Sequence, residues 1–206
     1  MPELIADKVV SRIYGSGRGK VFTPKDFLDL GSHASVRQVL ARLEKQGTIR
    51  RLLRGVYDYP SFSRLLQAEA SPDPDAIARA IARNHGWTIL PSGETALNLL
   101  GLSRQVPAQW QYLSDGPSRR YKWRGGTLVF THRTNRETSS LSPRTAILVQ
   151  GLKALGRARV DDSLIDELKK RFDARDRARA VREAKYSTGW VYEFIRKLQS
   201  EGEQGA

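Results

Sequence analysis

Apolar residues along this chain recur at two spacings, and the switches between them predict the elements. Between Ser32 and Gly47, Val36, Val39, Leu40 and Leu43 repeat at helical period, with Ser32 placed as N-cap and Gly47 as stop. Upstream, Leu4, Ile5, Val9 and Ile13 line one side of a helix over residues 2–14. Thr23, followed by Pro24 at the first helical position, predicts a second helix before the third. Gly31 then lies in the short connection that a helix-turn-helix requires. Downstream, residues 48–52 and 56–59 read as strands joined around Arg54-Gly55, with Tyr57 plugging the hairpin against Leu43 or Val39. Residues 1–60 therefore carry the pattern of a winged helix-turn-helix.

Beyond Pro60 the pattern changes. Residues 62–70 predict a short connecting helix, and Ser71-Pro72-Asp73-Pro74 a proline-broken stretch, so 61–74 reads as a linker. A helix from Asp75, with Ile77, Ala80 and Ile81 inward, ends before Gly86, and 87–90 reads as a buried strand. Ser92-Gly93 opens a helix closed by Gly101. Three strand-like runs at 110–113, 119–123 and 127–132, separated by Asp115-Gly116-Pro117 and Gly125-Gly126, predict an antiparallel meander over about 110–132. Ser142-Pro143 restarts a helix through Leu155, and the tail to 199 is helical. There Asp162 caps a helix with Leu164, Ile165 and Leu168 inward, and Ser187 caps a last helix with Trp190, Val191, Phe194, Ile195 and Leu198 on one face. The expected fold class is α+β: an N-terminal winged helix-turn-helix, then a mixed α/β domain over 75–206 with the meander and a helical C-terminus.

Composition narrows the chemistry. The 206 residues include no cysteine, which excludes disulfides, thiolate metal sites and cysteine nucleophiles. Three histidines scattered at 33, 85 and 132 make a metal site improbable, and no cofactor is expected. No apolar run reaches the length of a membrane span and no basic-then-apolar leader opens the chain, so a cytoplasmic protein without membrane contact is expected.

Charge changes the picture more. The net +13 favours a polyanionic partner, and it is concentrated: residues 1–60 hold eleven basic against six acidic side chains, a net +5. Residues 103–160 hold eleven against two, a net +9. On the predicted third helix, Ala34, Gln38, Ala41 and Lys45 fall opposite the apolar stripe, with Arg37 and Arg42 flanking. Small residues allow close approach to base edges, an amide bonds adenine bidentately, and guanidinium groups reach guanine or phosphate. His33 and Ser35 in the first turn, and Arg50, Arg51 and Arg54 on the hairpin, complete the candidate surface for double-stranded operator DNA. Arg119, Arg120, Lys122, Arg124, Arg133, Arg136 and Arg144 form a second basic set.

The winged pattern with Gly47-Thr48-Ile49 and Arg54-Gly55-Val56-Tyr57, the segment from Ser92-Gly93 to Gly101-Leu102-Ser103, and the Ser142-Pro143-Arg144 helix start together resemble the AbiEi-type antitoxins. The resemblance spans most of the chain. It implies a non-enzymatic protein whose winged domain represses its own operon by binding repeated operator DNA, and whose second domain neutralises a co-encoded nucleotidyltransferase-fold toxin. The second basic set then meets an acidic toxin surface or widens the DNA footprint. The alternative is an ordinary winged-helix regulator whose C-terminal half senses a small molecule or dimerises; oligomeric state is not legible.

A catalytic reading is weaker. Glu94 follows a glycine turn at a helix start, a phosphate-friendly place, but the helix dipole favours a carboxylate there in any case. A nucleotidyltransferase would place two closely spaced metal-binding aspartates after such a turn, and no Asp-x-Asp follows Gly93 within that unit. Asp73-Pro74-Asp75 has the spacing but falls in the linker, and Asp161, Asp162 and Glu167 fit an ordinary helix start.

Overall fold

The computed structural model describes residues 2–65, 67–134 and 141–200. They form a mixed α and β fold in two compact units, Met1–Trp87 with Arg120–Leu128, and Thr88–Arg119 with Val129–Ala206.

In the first unit the order is α1 (Pro2–Gly15), β1 (Val21–Phe22), a 3-10 turn (Pro24–Phe27), α2 (His33–Lys45), β2 (Arg50–Leu53), β3 (Val56–Asp58), β4 (Phe62–Ser63), β5 (Ala68–Glu69) and α3 (Pro74–His85). Helix α2 starts where its sequence says it should. Ser32 Oγ accepts the Ser35 N–H at 3.2 Å, capping the first turn. It ends because Gly47 takes the left-handed conformation (φ 72°), letting Thr48 N–H reach the Leu43 carbonyl (3.0 Å) and Gly47 N–H that of Glu44 (3.0 Å). Its buried stripe of Val36, Val39, Leu40 and Leu43 joins Ala6, Val9 and Ile13 of α1, Phe22, Phe27, Ile49 and Tyr57 in one core. Tyr57 joins this core, with its ring 6.4 Å from that of Phe22, which in turn meets Phe27 edge-on at 5.4 Å.

Strands β1, β3 and β2 make a three-stranded antiparallel sheet in that order, with Phe22 opposite Tyr57 and Arg50 opposite Asp58. Asp58 is 1% exposed, and Arg50 grips it through Nε (3.1 Å) and Nη2 (2.7 Å). The same guanidinium reaches Glu69 Oε2 (3.2 Å) and the Ala70 carbonyl (3.1 Å).

Three expectations for this unit need correction. The second predicted helix is only the 3-10 turn Pro24–Phe27. Thr23 caps it and Asp26 completes the box by accepting the Thr23 N–H at 2.8 Å, but no regular helix continues past Leu28. Among the described residues of 62–70 none is helical; Phe62–Ser63 and Ala68–Glu69 pair as the antiparallel strands β4 and β5, with Phe62 opposite Glu69, and Arg50 ties down the second strand. Tertiary pairing here overrides helix propensity. The expected boundary at 61–74 also shifts, because α3 packs on β1 and β3 and stays with the N-terminal residues. Arg83 pairs bidentately with Asp26 (2.7 and 2.9 Å), and Lys25 Nζ donates to the Asn84 carbonyl at 2.7 Å.

The second unit begins with β6 (Ile89–Pro91) and α4 (Gly93–Leu100). In chain order come β7 (Trp110–Ser114), β8 (Arg119–Trp123), β9 (Gly126–His132), α5 (Pro143–Leu155), α6 (Asp162–Lys169), α7 (Ala174–Glu183) and α8 (Gly189–Ser200), with Arg120–Leu128 of β8 and β9 counted in the first unit. The sheet order is β6-β7-β9-β8, so the strands do not form the simple meander expected. The physical reason lies in the side chains. Leu128 and Phe130 of β9 are buried and need strands on both sides, whereas the exposed Arg119, Arg120 and Lys122 of β8 suit an edge. Helix α5 is the axis of the helical part: Thr145, Ala146, Leu148, Val149, Gly151 and Leu152 are buried, and α4 crosses it so closely that a Cβ on Gly151 would collide with the Leu100 side chain. Leu164, Ile165 and Leu168 of α6 and Val191, Phe194, Ile195 and Leu198 of α8 close the core. Asp161, not Asp162, caps α6, its carboxylate accepting Leu164 N–H at 3.1 Å. Glu183 accepts both the Ser142 N–H (2.9 Å) and its hydroxyl (2.7 Å), capping α5 from another helix.

Removing Arg50 leaves a carboxylate buried without its partner, so Arg50→Ala is expected to destabilise the fold by on the order of 3 kcal/mol, read from urea unfolding. Arg51→Ala, one position on and exposed, should shift it by less than about 0.5 kcal/mol. Gly151→Val should cost about 1–3 kcal/mol by overpacking, measured the same way. Partial burial pulls the Asp26 carboxyl upward, but hydrogen bonds from Arg83 and Thr23 outweigh it and hold it below the ordinary value near 3.8. A carboxylate so lowered stabilises the fold above that value and loses its contribution as pH falls through the lowered one. Acid unfolding should therefore steepen below about pH 4 and be shallower in Asp26→Asn, as followed by circular dichroism.

Candidate nucleic-acid interface

Anchoring α2 by one stripe fixes what the opposite side shows. Ala34, Arg37, Gln38, Ala41, Arg42 and Lys45 are all exposed, along a helix about 20 Å long. Among the described residues Arg37, Gln38, Arg42 and Lys45 have no side-chain partner. Arg42 and Lys45 lie in the last turn, where the helix dipole already favours cations. Arg37 and Gln38, mid-helix, owe nothing to it. His33 is exposed in the first turn, while Ser35 is half-buried and its hydroxyl lies 2.9 Å from the Ser32 hydroxyl, so it belongs to the cap.

The β2–β3 hairpin separates its three arginines. Alternation along the strand puts Arg50 on the inner side, where Asp58 and Glu69 occupy its guanidinium, and Arg51 on the outer side. Hydrogen bonding to Asp58 raises the Arg50 pKa further, so this residue is a structural cation and is removed from the candidate surface. Arg51 and Arg54 remain exposed, the latter in a turn closed by Gly55 at φ 75°. The signal for Arg50 was present in the chain: a carboxylate eight residues on, across a two-residue turn, sits opposite it in the hairpin.

The second basic set also divides. Arg119, Arg120, Lys122 and Arg124 are exposed on β8 and the turn after it. Arg133 follows β9, exposed, with Nη1 donating to the His132 carbonyl at 3.1 Å. Arg144 is not part of it. In the first turn of α5 it pairs with Asp176 (2.8 Å), donates to the Arg171 carbonyl (2.5 Å) and lies 5.2 Å from the Phe172 ring centre. Arg136 falls outside the described residues.

The residues weighed for catalysis are not brought together. Glu94 is exposed in the first turn of α4, and Ser92 precedes that helix without a side-chain cap bond. Asp161 is held by the Ser163 hydroxyl (2.7 Å) and Leu164 N–H, which lower its pKa, while Asp162 pairs with Lys197 (2.5 Å) and Glu167 with Arg171 (3.0 Å). Among the described residues no group of three or more histidine, aspartate or glutamate side chains is arranged to hold a metal. His85 stacks on Trp87 with ring centres 4.4 Å apart, and His132 Nδ1 lies 3.0 Å from the Gly116 carbonyl. Nor is any helix among the described residues long and apolar enough to cross a membrane.

No curated protein matches this chain. Among solved structures it is similar to the crystal structure of the RV2827C protein from Mycobacterium tuberculosis, at 19% identity and a TM-score of 0.44, covering 97% of this chain and 77% of that one. The family model whose description reads "Family of unknown function (DUF6088)" matches residues 8–181, and the chain belongs to that family.

Proposed function

We propose that the N-terminal unit is a winged helix-turn-helix that binds duplex DNA and that the protein is a transcriptional repressor. One observation carries this reading. A helix held by four buried side chains turns Arg37, Gln38 and two alanines outward without partners, and a hairpin bearing exposed Arg51 and Arg54 follows it directly. A helix of this kind fits the major groove, about 12 Å wide. Ala34 and Ala41 let its backbone approach the base edges, Gln38 bonds adenine through both ends of its amide, and Arg37 bonds guanine O6 and N7. Arg42, Lys45, Arg51 and Arg54 lie against phosphates and set register rather than sequence. The first helix, β1 and the 3-10 turn serve as the frame against which α2 is pressed.

The likeness of the wing, the 92–103 segment and the 142–144 helix start to AbiEi-type antitoxins supports a further part of the proposal. The operator is that of the protein's own operon, and the second unit neutralises a nucleotidyltransferase-fold toxin. No residue is assigned a catalytic role. A plain repressor with a sensing or dimerising C-terminal half is the outcome if the neighbouring gene proves harmless when expressed alone.

Fluorescence anisotropy with the chain's own promoter fragment tests the reading. Arg37→Ala and Gln38→Ala should each weaken promoter binding by about 1–3 kcal/mol while leaving random duplex nearly unchanged. Arg54→Ala should weaken both alike and reduce the salt slope by about 1. A wild-type chain that binds promoter no more tightly than random duplex, with no weakening as salt rises, would overturn it. Co-expression with the adjacent gene, scored by growth, tests the toxin-neutralising part separately.

A further inference from the structure

We infer that the edge strand β8 and its turn form a second, sequence-independent contact with duplex DNA, a cationic ribbon that lengthens the footprint of the reading helix. The inference rests on the reading of α2 and the β2–β3 hairpin as a DNA-binding head. Arg120 and Lys122 alternate onto one side of β8, and Arg124 heads the turn that follows; all three are exposed. Among the described residues none of the three has an ion-pair or hydrogen-bond partner. Residues 116–134 contain five basic side chains and no acidic one. Several other exposed arginines outside the reading head are paired: Arg12 holds Asp29, Arg79 holds Asp75, Arg83 holds Asp26 and Arg171 holds Glu167. A polyanion laid along β8 would relieve the repulsion within this group and release its condensed counter-ions.

Placement and rigidity support the same use. Strand β8 is the outermost of its sheet, so one side of the ribbon is not covered by another strand. Residues Arg120–Leu128 cluster in the compact unit that carries α2 and the β2–β3 hairpin. The Trp123 indole lies under the turn so closely that a Cβ on Gly125 would come within 2.8 Å of Nε1, which fixes the turn from which Arg124 projects.

The patch fits nucleic acid better than an acidic protein. Protein interfaces centre on buried aromatic or aliphatic anchors and are poor in lysine, whereas the large apolar side chains exposed on this chain include none between 119 and 128. Interfaces with DNA are polar and strongly positive, and phosphate contact by three cations needs no anchor.

The test uses the full chain with Arg120→Gln, Lys122→Gln and Arg124→Gln combined, against promoter and random duplexes of equal length, titrated from about 50 to 200 mM potassium chloride. The expected result is equal weakening on both duplexes, an unchanged promoter-to-random ratio, and a salt slope smaller by roughly 2–3. Arg124→Gln alone should lower the slope by about 1, and it decides the matter should the triple variant melt early. A triple variant with wild-type slope and affinity overturns the ribbon while the reading head stands. So does one that binds DNA normally but no longer rescues growth beside the neighbouring gene, since the ribbon would then face a protein. A wild-type chain that ignores salt and sequence overturns the head and the ribbon with it.

Discussion

The rotation of one helix about its own axis governs what this protein offers to a partner, and four aliphatic side chains set that rotation. Val36, Val39, Leu40 and Leu43 leave water only if α2 lies with that stripe against α1 and Tyr57. A turn of α2 by a third of a revolution would bury Arg37 or Lys45 and expose two of the aliphatics, so the outward display of Arg37, Gln38 and the two alanines is a by-product of core packing. The caps at Ser32 and Gly47 fix where the display begins and ends.

Much of this was legible before any coordinates. The stripe, its N-cap and its glycine stop are local signals read by period and position, and they place α2 within a residue. The same holds for the apolar faces of α6 and α8. What escaped depended on partners distant in sequence. The hairpin spacing offers Asp58 as a partner for Arg50 but not its burial, and residues 62–70 read as a helix until Arg50 reaches across to Glu69 and Ala70. Sheet order escaped for a related reason. The runs at 110–113, 119–123 and 127–132 are visible as strands, but their order is decided by burial: β7 with fully buried Tyr112 and β9 with Leu128 and Phe130 take the interior places, and β8 is left at the edge.

Carboxylates in this chain are largely consumed as internal ties. Asp26 joins its cap to α3, Asp29 holds Arg12, Asp58 holds Arg50, Asp176 holds Arg144, and Glu183 closes the start of α5. Each tie neutralises one cation or satisfies one helix end, so the surplus of thirteen positive charges is displayed by the side chains left over. Some of those stand together on α2, on the outer side of the first hairpin and on β8. The field of the molecule is therefore shaped by which acids are occupied as much as by where the bases fall.

Helix α3 bears on where the chain can be divided. Because Ile77, Ala78 and Ile81 are buried and Arg83 and Asn84 clasp the 3-10 turn, the first sixty residues are not a portable cassette. A recombination breakpoint at Pro60 would strip the sheet of its cover and strand Asp26 without its counter-ion. Any division of the chain that keeps this sheet covered must therefore leave everything up to His85 in one piece.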